Sequence, residues 1–149
     1  MSYRSALSNP LANSGDVGQV ITAGDTNYTV DMVTQTPLAF ATITLGSGTW
    51  YIQMTELLAF NNATTKSVVL SLLTNASPPI VYFTRGLILE DPAGSPLNNG
   101  ISYNDSVVVT LTQPTILKAV ANAIFTTGVV TVFYPALTGN KFITATKLA

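Results

Sequence analysis

Hydrophobic positions along the chain fall into short runs separated by turn residues. From residue 26 onward the runs are rich in Val, Ile, Thr, Tyr and Phe, and most are too short to be helices. Gly, Pro, Asn and Asp punctuate them at 46–48, 61–65, 75–79, 91–100, 103–105, 126–128 and 137–140. Such spacing is typical of an all-β sandwich or barrel, and it predicts about eight to ten strands between residues 26 and 147.

Several runs alternate with a period of two residues, but both of their faces are partly apolar. In 66–74, Val68, Leu70 and Leu72 share one face, while Val69 and Leu73 lie on the other face among serines. A monomeric antiparallel sandwich shows cleaner alternation, with polar residues facing water. The pattern therefore predicts that an outer sheet face packs against a neighbouring subunit.

Residues 113–130 fit two different patterns. Ile116, Val120 and Ile124 have helical spacing. By strand spacing, Lys118 and Asn122 alternate instead with Leu117, Ala119, Ala121, Ala123 and Phe125. Pro114 can precede a strand, and the TTG turn at 126–128 leads into a further β-rich run. We predict a strand over 115–125 in an antiparallel hairpin with 129–134. The helix propensity of Ala and Leu keeps a helix as the alternative.

The first 24 residues lack the short β-rich runs of the rest of the chain. Pro10, Gly15, Gly18 and Gly24 interrupt any periodicity, yet apolar residues recur at intervals. The segment is either a loose terminus or an extended arm that lies on a partner. We predict an arm over 1–24 that stays outside the sandwich and one β-domain over 25–149. The segment has no apolar core of a signal peptide, and no run is long enough to span a membrane.

The composition favours a protein that hides part of its surface in an assembly. Charged residues make up 9% of the 149 residues, against about 25% in ordinary domains. Few charges mean weak repulsion between free copies. The net charge is −1 and the six basic residues are scattered, so we expect no nucleic-acid partner.

The inventory of reactive side chains predicts that the chain is not an enzyme. It has no His and no Cys, which removes the usual general bases and thiol nucleophiles, and excludes disulfides and Cys/His zinc sites. Glu56 lies inside an apolar run; a bulge or an ion pair with a neighbour is expected there rather than a buried acid. Asp16, Asp25 and Asp31 match no calcium-loop spacing. We therefore expect no catalytic residue, metal or cofactor.

Three stretches resemble the C-terminal heads of phage tail fibres and related virion proteins. They are Gly48–Thr49–Trp50, the run from Val109 to Leu117 with its Thr-Gln-Pro-Thr centre, and the terminal run from Phe142 to Leu148. The resemblance covers about residues 38–149. Such heads are similar to the trimeric jelly roll of tumour necrosis factor and C1q. The resemblance thus implies an all-β, antiparallel β-sandwich of the jelly-roll, TNF/C1q-like type.

The resemblance also implies a function. The chain is short and has no fibre shaft, which favours a capsid cement or decoration protein: a homotrimer that is made in the host cytoplasm, lies on the capsid surface and stabilises the shell. Its partners would be itself and the major capsid protein or other virion proteins, with no membrane partner. The residues expected to contact the capsid are in the arm: Tyr3, Arg4, Leu7 and Leu11.

The alternative is the receptor-binding head of a tail fibre or head fibre that recognises a host surface glycan. Such a head would bind through a distal loop, and the segment 91–105 combines one aromatic ring with several amides. The candidate ligand residues in that loop are Asn98, Asn99, Tyr103 and Asn104.

Overall fold

The computed structural model describes residues 16–23, 29–88, 100–133 and 142–149. Within these ranges the chain forms ten β-strands and no helix, which confirms the all-β prediction. The strands are β1 (Val20–Ala23), β2 (Thr29–Asp31), β3 (Leu38–Leu45), β4 (Gly48–Asn61), β5 (Thr65–Thr74), β6 (Val81–Ile88), β7 (Gly100–Leu111), β8 (Thr115–Phe125), β9 (Val129–Phe133) and β10 (Ile143–Lys147).

The strands form two antiparallel sheets. Sheet A has the order β1-β10-β4-β9-β2, with β7 on the other side of β4, and sheet B has the order β3-β8-β5-β6. Strand β4 organises sheet A because it pairs with β7 along 48–59. On its opposite side it pairs first with β10 and then with β9. The two sheets enclose one core and make a jelly-roll sandwich.

Strand β8 shows why the strand interpretation of 113–130 is right. Leu117, Ala119, Ala121 and Ala123 are fully buried on its inner side, and the strand pairs with β3 on one edge and β5 on the other. The same core cluster contains bulky side chains, including Trp50. Small Ala side chains leave space for them between two sheets about 10 Å apart. The helical alternative is wrong.

A bulge in β3 changes which residues face the core. The pairing with β8 shifts between Ala39 and Ala41, so Phe40 and Ala41 are both buried although they are neighbours in sequence. Phe40 packs edge-on against Phe142, with ring centroids 5.2 Å apart. Beyond the bulge, alternation resumes with Ile43 inside. A bulge adds one residue to a strand and reverses the faces that follow.

The predicted hairpin between 115–125 and 129–134 is wrong. Strand β8 belongs to sheet B and β9 to sheet A, because both edges of β8 are already occupied by β3 and β5. The chain instead crosses between sheets at 126–128. This corner is joined to the β4–β5 crossing: Thr126 N donates to Thr64 O at 3.1 Å, and Thr64 N donates to Thr127 O at 3.2 Å. Gly128, at φ +74°, lies against the Asn62 backbone where a side chain would clash.

Part of the predicted arm, residues 20–23, lies within the sandwich rather than outside it. Val20–Ala23 form β1, which pairs with β10 at the edge of sheet A. Gly18 N donates to Lys147 O at 2.8 Å, so the pairing begins even before β1. An open β10 edge would leave backbone groups unpaired, and β1 satisfies them. Residues 1–15 lie outside the described residues, and with them Tyr3, Arg4, Leu7 and Leu11.

Candidate binding surfaces

The three stretches that resemble virion heads meet at one end of the sandwich, here called the Gly48 end. It comprises the connections 46–47, 75–80 and 112–114 and the terminal residues 148–149. Trp50 lies in the middle of this end, where it pairs with Val109 of β7 on one side and with Lys147 of β10 on the other. Its indole Nε1 donates to Gly46 O at 2.9 Å. The Lys147 ammonium lies 5.7 Å from the centre of the indole ring, within cation–π distance.

Gly48 is required by the close approach of the chain terminus. Its φ is +132°, and a Cβ at this position would lie 2.5 Å from Ala149 O and 2.6 Å from Lys147 Cε. The terminus is fixed in turn by Thr49, whose N donates to Ala149 O at 2.8 Å and whose O accepts from Leu148 N at 2.7 Å. The motif residues thus close one end of the sandwich by packing and backbone hydrogen bonds.

An open cleft of about 400 Å³ also lies at the Gly48 end, between the β5–β6 and β7–β8 connections. No side chain that lines it is charged. The lining residues are Thr74, Asn75, Ala76, Ile80, Tyr82, Thr110, Leu111, Thr112, Gln113, Pro114, Thr115 and Ile116. The cleft therefore offers hydroxyl, amide and apolar groups together with one phenol ring. Sequence reasoning missed it because its walls are about 35 residues apart in the chain.

The loop predicted at 91–105 is shorter than expected. Strand β7 begins at Gly100, so Tyr103 and Asn104 lie within a strand, opposite Glu56 and Thr55 of β4. The YND sequence looked like a turn, but the long pairing with β4 extends straight through it. The Thr55 hydroxyl donates to Asn104 Oδ1 at 2.9 Å. Asn98 and Asn99 lie outside the described residues.

Asn104 lines a second, smaller depression of about 220 Å³, with Gln53 and Asp105 among its other walls. Asp105 is fixed by Arg85 of β6, whose Nη1 lies 2.6 Å from Asp105 Oδ2. This ion pair joins the facing edge strands of the two sheets. Because Arg85 is half exposed, the pair contributes little to stability, about 0–1 kcal/mol.

The outer face of sheet A across β1, β10, β4 and β7 carries no charged side chain among the described residues. We call it the uncharged face. One row across the four strands consists of Val20, Thr146, Tyr51 and Val108, and its two valines are 56% and 57% exposed. Other members of the face include Thr22, Thr49, Gln53, Thr55, Asn104, Ser106, Thr110 and Thr144.

Glu56 is a buried acid, contrary to the expected ion pair or bulge. Its side chain is fully buried on the inner side of β4, where the pairing with β7 runs without a bulge. Neither carboxyl oxygen has a hydrogen-bond partner in the structure. Loss of hydration raises the pKa of Glu56 from 4.5 to about 8. The group is therefore mostly neutral at pH 7, and its burial leaves it out of reach of a substrate.

The described residues contain no group of three acidic side chains that could hold a metal ion. In the part of the chain that the structure describes, no helix has the length and apolar character needed to cross a membrane.

The sequence matches no protein-family model and no curated protein, but solved structures share its fold. Eiger TNF from S. frugiperda has a TM-score of 0.61 at 10% identity, over 89% of this chain and 92% of that chain. A protein of the T13 viral particle of IBDV, infectious bursal disease virus, has a TM-score of 0.51 at 12% identity, over 90% of this chain and 36% of that chain.

A third similar structure is that of a CBM4 protein, with a TM-score of 0.50 at 10% identity over 87% of this chain and 77% of that chain. This chain thus spans about a third of the viral particle protein but most of the other two. At such identities the three likenesses show the jelly-roll fold alone.

Proposed function

We propose that this chain is a non-enzymatic structural protein of a phage virion: a cement or decoration protein that forms homotrimers on the capsid surface. The observation that carries the proposal is the uncharged face of sheet A. The sequence resemblance to phage virion heads supports the phage assignment. The fold shared with the IBDV particle protein is compatible with a place in a viral shell.

The uncharged face has the composition of a protein–protein interface. Interface cores are depleted of charge and enriched in aromatic residues, and here Tyr51 lies in a row with two exposed valines. Its remaining threonine, serine and amide groups can pair across an interface without the cost of burying an ion. Sheet B is a less suitable partner face because Lys118 lies on its outer side.

Capsid stabilisation would follow from mass action. A trimer that binds the assembled shell and not its separated subunits shifts the equilibrium toward the shell. Three linked copies also bind together, so that weak individual contacts add up to strong attachment. Neither step needs a reactive side chain.

The trimer is tested by placing one charge on the uncharged face. We expect the wild-type protein to have a mass of about 47 kDa by light scattering, three times the 15.7 kDa of one chain. Val108→Lys should reduce the mass toward that of the monomer, since a buried lysine without a partner is costly. Ile124→Lys is the matched control: it is 37% exposed on the outer face of sheet B, and its trimer should stay intact.

Capsid attachment is tested by co-sedimentation with shells assembled without this protein. The wild type and Ile124→Lys should sediment with the shells, and Val108→Lys should be largely lost because it cannot bind through three copies. A monomeric wild type would refute the trimer. A wild-type trimer that does not co-sediment with the shells would refute the cement role but not the trimer.

A further inference from the structure

We propose that the cleft at the Gly48 end is a binding site for a neutral carbohydrate of about two sugar rings. This inference does not depend on the trimer or on capsid attachment. The proposed site is formed by residues 74–82 and 110–116. It therefore differs from the glycan-binding loop that the sequence predicted at 91–105.

The size of the cleft suits a small ligand. Its volume of about 400 Å³ lies in the lower part of the range of small-molecule sites, about 300–1,000 Å³. The cleft is open on one side, so the ends of a longer chain could continue into solvent. An open cleft of this volume suits a segment of an oligosaccharide.

The walls of the cleft are held in place before any ligand binds. The Thr74 hydroxyl, which is buried, accepts a hydrogen bond from Ile80 N at 2.9 Å and closes the β5–β6 connection on itself. Asn75 N donates to Ile116 O at 3.1 Å and ties this wall to β8. On the other wall, the Thr115 hydroxyl donates to Gln113 O at 2.9 Å. Fixed walls reduce the entropy that binding would lose.

The chemistry of the cleft selects an uncharged, hydroxyl-rich ligand. Tyr82 packs partly against the core, which fixes its phenol ring at the cleft. Aromatic rings present an apolar face with a polar tip, and the apolar C–H face of a sugar can pack on such a surface. The side chains of Asn75 and Gln113 are exposed, and amides both donate and accept hydrogen bonds. No lining side chain could neutralise a phosphate, sulfate or carboxylate.

The location is compatible with attachment to a shell. Residues 16–19 enter β1 at the same end as the cleft but on the β10 side of β4, whereas the cleft lies on the β7 side. Fifteen preceding residues could span up to about 50 Å when extended. Attachment through them would therefore not require the cleft itself to lie against the shell.

The test is a titration followed by backbone amide NMR, with maltose, lactose, mannobiose and chitobiose as probes and 3′-sialyllactose as the acidic comparison. We expect at least one neutral disaccharide to give saturating shifts confined to 74–82 and 110–116. The sialylated sugar should bind no more tightly than lactose. Asn75→Ala and Gln113→Ala each remove one amide from the cleft. Each substitution should weaken binding roughly 3- to 10-fold, which corresponds to the loss of one hydrogen bond.

Asn61→Ala is the matched control, because it removes an exposed amide at the end of β4 far from the cleft and should leave binding unchanged. Tyr82→Phe keeps the ring and should retain most of the affinity. The proposal is overturned if no probe gives saturating shifts, if the shifts map elsewhere, if the acidic sugar is preferred, or if the two cleft variants bind like Asn61→Ala. It is also overturned if removal of residues 1–15 alone produces the cleft shifts, since the arm would then be the occupant.

Discussion

The buried carboxyl of Glu56 predicts an unusual dependence of stability on pH. The folded-state pKa of about 8 lies above the unfolded value of 4.5, so the folded protein binds more protons than the unfolded chain between these values. Stability therefore falls as pH rises through this interval. Well below pH 4.5 both states are protonated, and burial of the neutral acid has no pH-dependent cost.

The size of the effect follows from the two pKa values. One pKa unit corresponds to about 1.4 kcal/mol, so the difference between 4.5 and about 8 gives a loss of about 5 kcal/mol at high pH. At pH 7 the loss is about 3 kcal/mol relative to acid. Losses of this size are a large part of the total stability of a typical domain, about 5–15 kcal/mol.

The replacement Glu56→Gln isolates this effect. Glutamine has nearly the same shape and no charge at any pH, so the variant should match the wild type near pH 5 and become increasingly more stable than it toward pH 9. The comparison is clean because the chain has no His and no Cys; besides Glu56, only the terminal amine ordinarily titrates in this window. The charged side chains that face inward on the neighbouring strands are Asp105 of β7 and Lys147 of β10.

The assay is urea unfolding at fixed protein concentration between pH 5 and 9, followed by the fluorescence of the buried Trp50. Asp31→Asn is the control: it removes an exposed carboxylate, and its stability should run parallel to that of the wild type. A wild-type stability that stays constant from pH 5 to 9, or a Glu56→Gln variant with the same pH slope as the wild type, would refute the reasoning.

Two further predictions concern the Gly48 end and the arm. Gly48→Ala should lower the free energy of unfolding by about 1–3 kcal/mol or more because of its positive φ and the close Ala149 carbonyl. Gly86→Ala, whose nearest contact would be at 3.9 Å, should change thermal unfolding little. Deletion of 1–15 should leave the trimer intact and abolish co-sedimentation with shells if the arm is the tether. Deletion of 1–24 should also destabilise the fold, because β1 covers β10. Full shell binding by the shorter deletion would contradict the tether.

The sequence by itself determined the local elements. Alternation with a period of two and Gly/Pro/Asn punctuation depend on neighbours in the chain, and they predicted the all-β class and the strand at 115–125. The alanines of β8 were informative because alternate small residues face one side of a strand whichever strands it pairs with. The virion-head motif pointed to a jelly roll, and the fold shared with Eiger TNF agrees with it.

Only the tertiary structure decided which strands pair and which groups come together. A turn such as 126–128 can close a hairpin or connect two sheets. Because β3 and β5 occupy both edges of β8, the chain crosses to the other sheet here. Val20–Ala23 form a strand because they pair with the edge of β10. Strand β7 continues through Asn104 because it pairs with the long strand β4. Glu56 could not be recognised as an unpaired buried acid, and the cleft could not be seen, because both depend on residues far apart in sequence. Pairing between strands is non-local, so the local pattern specifies each strand and the packed sandwich specifies its partners.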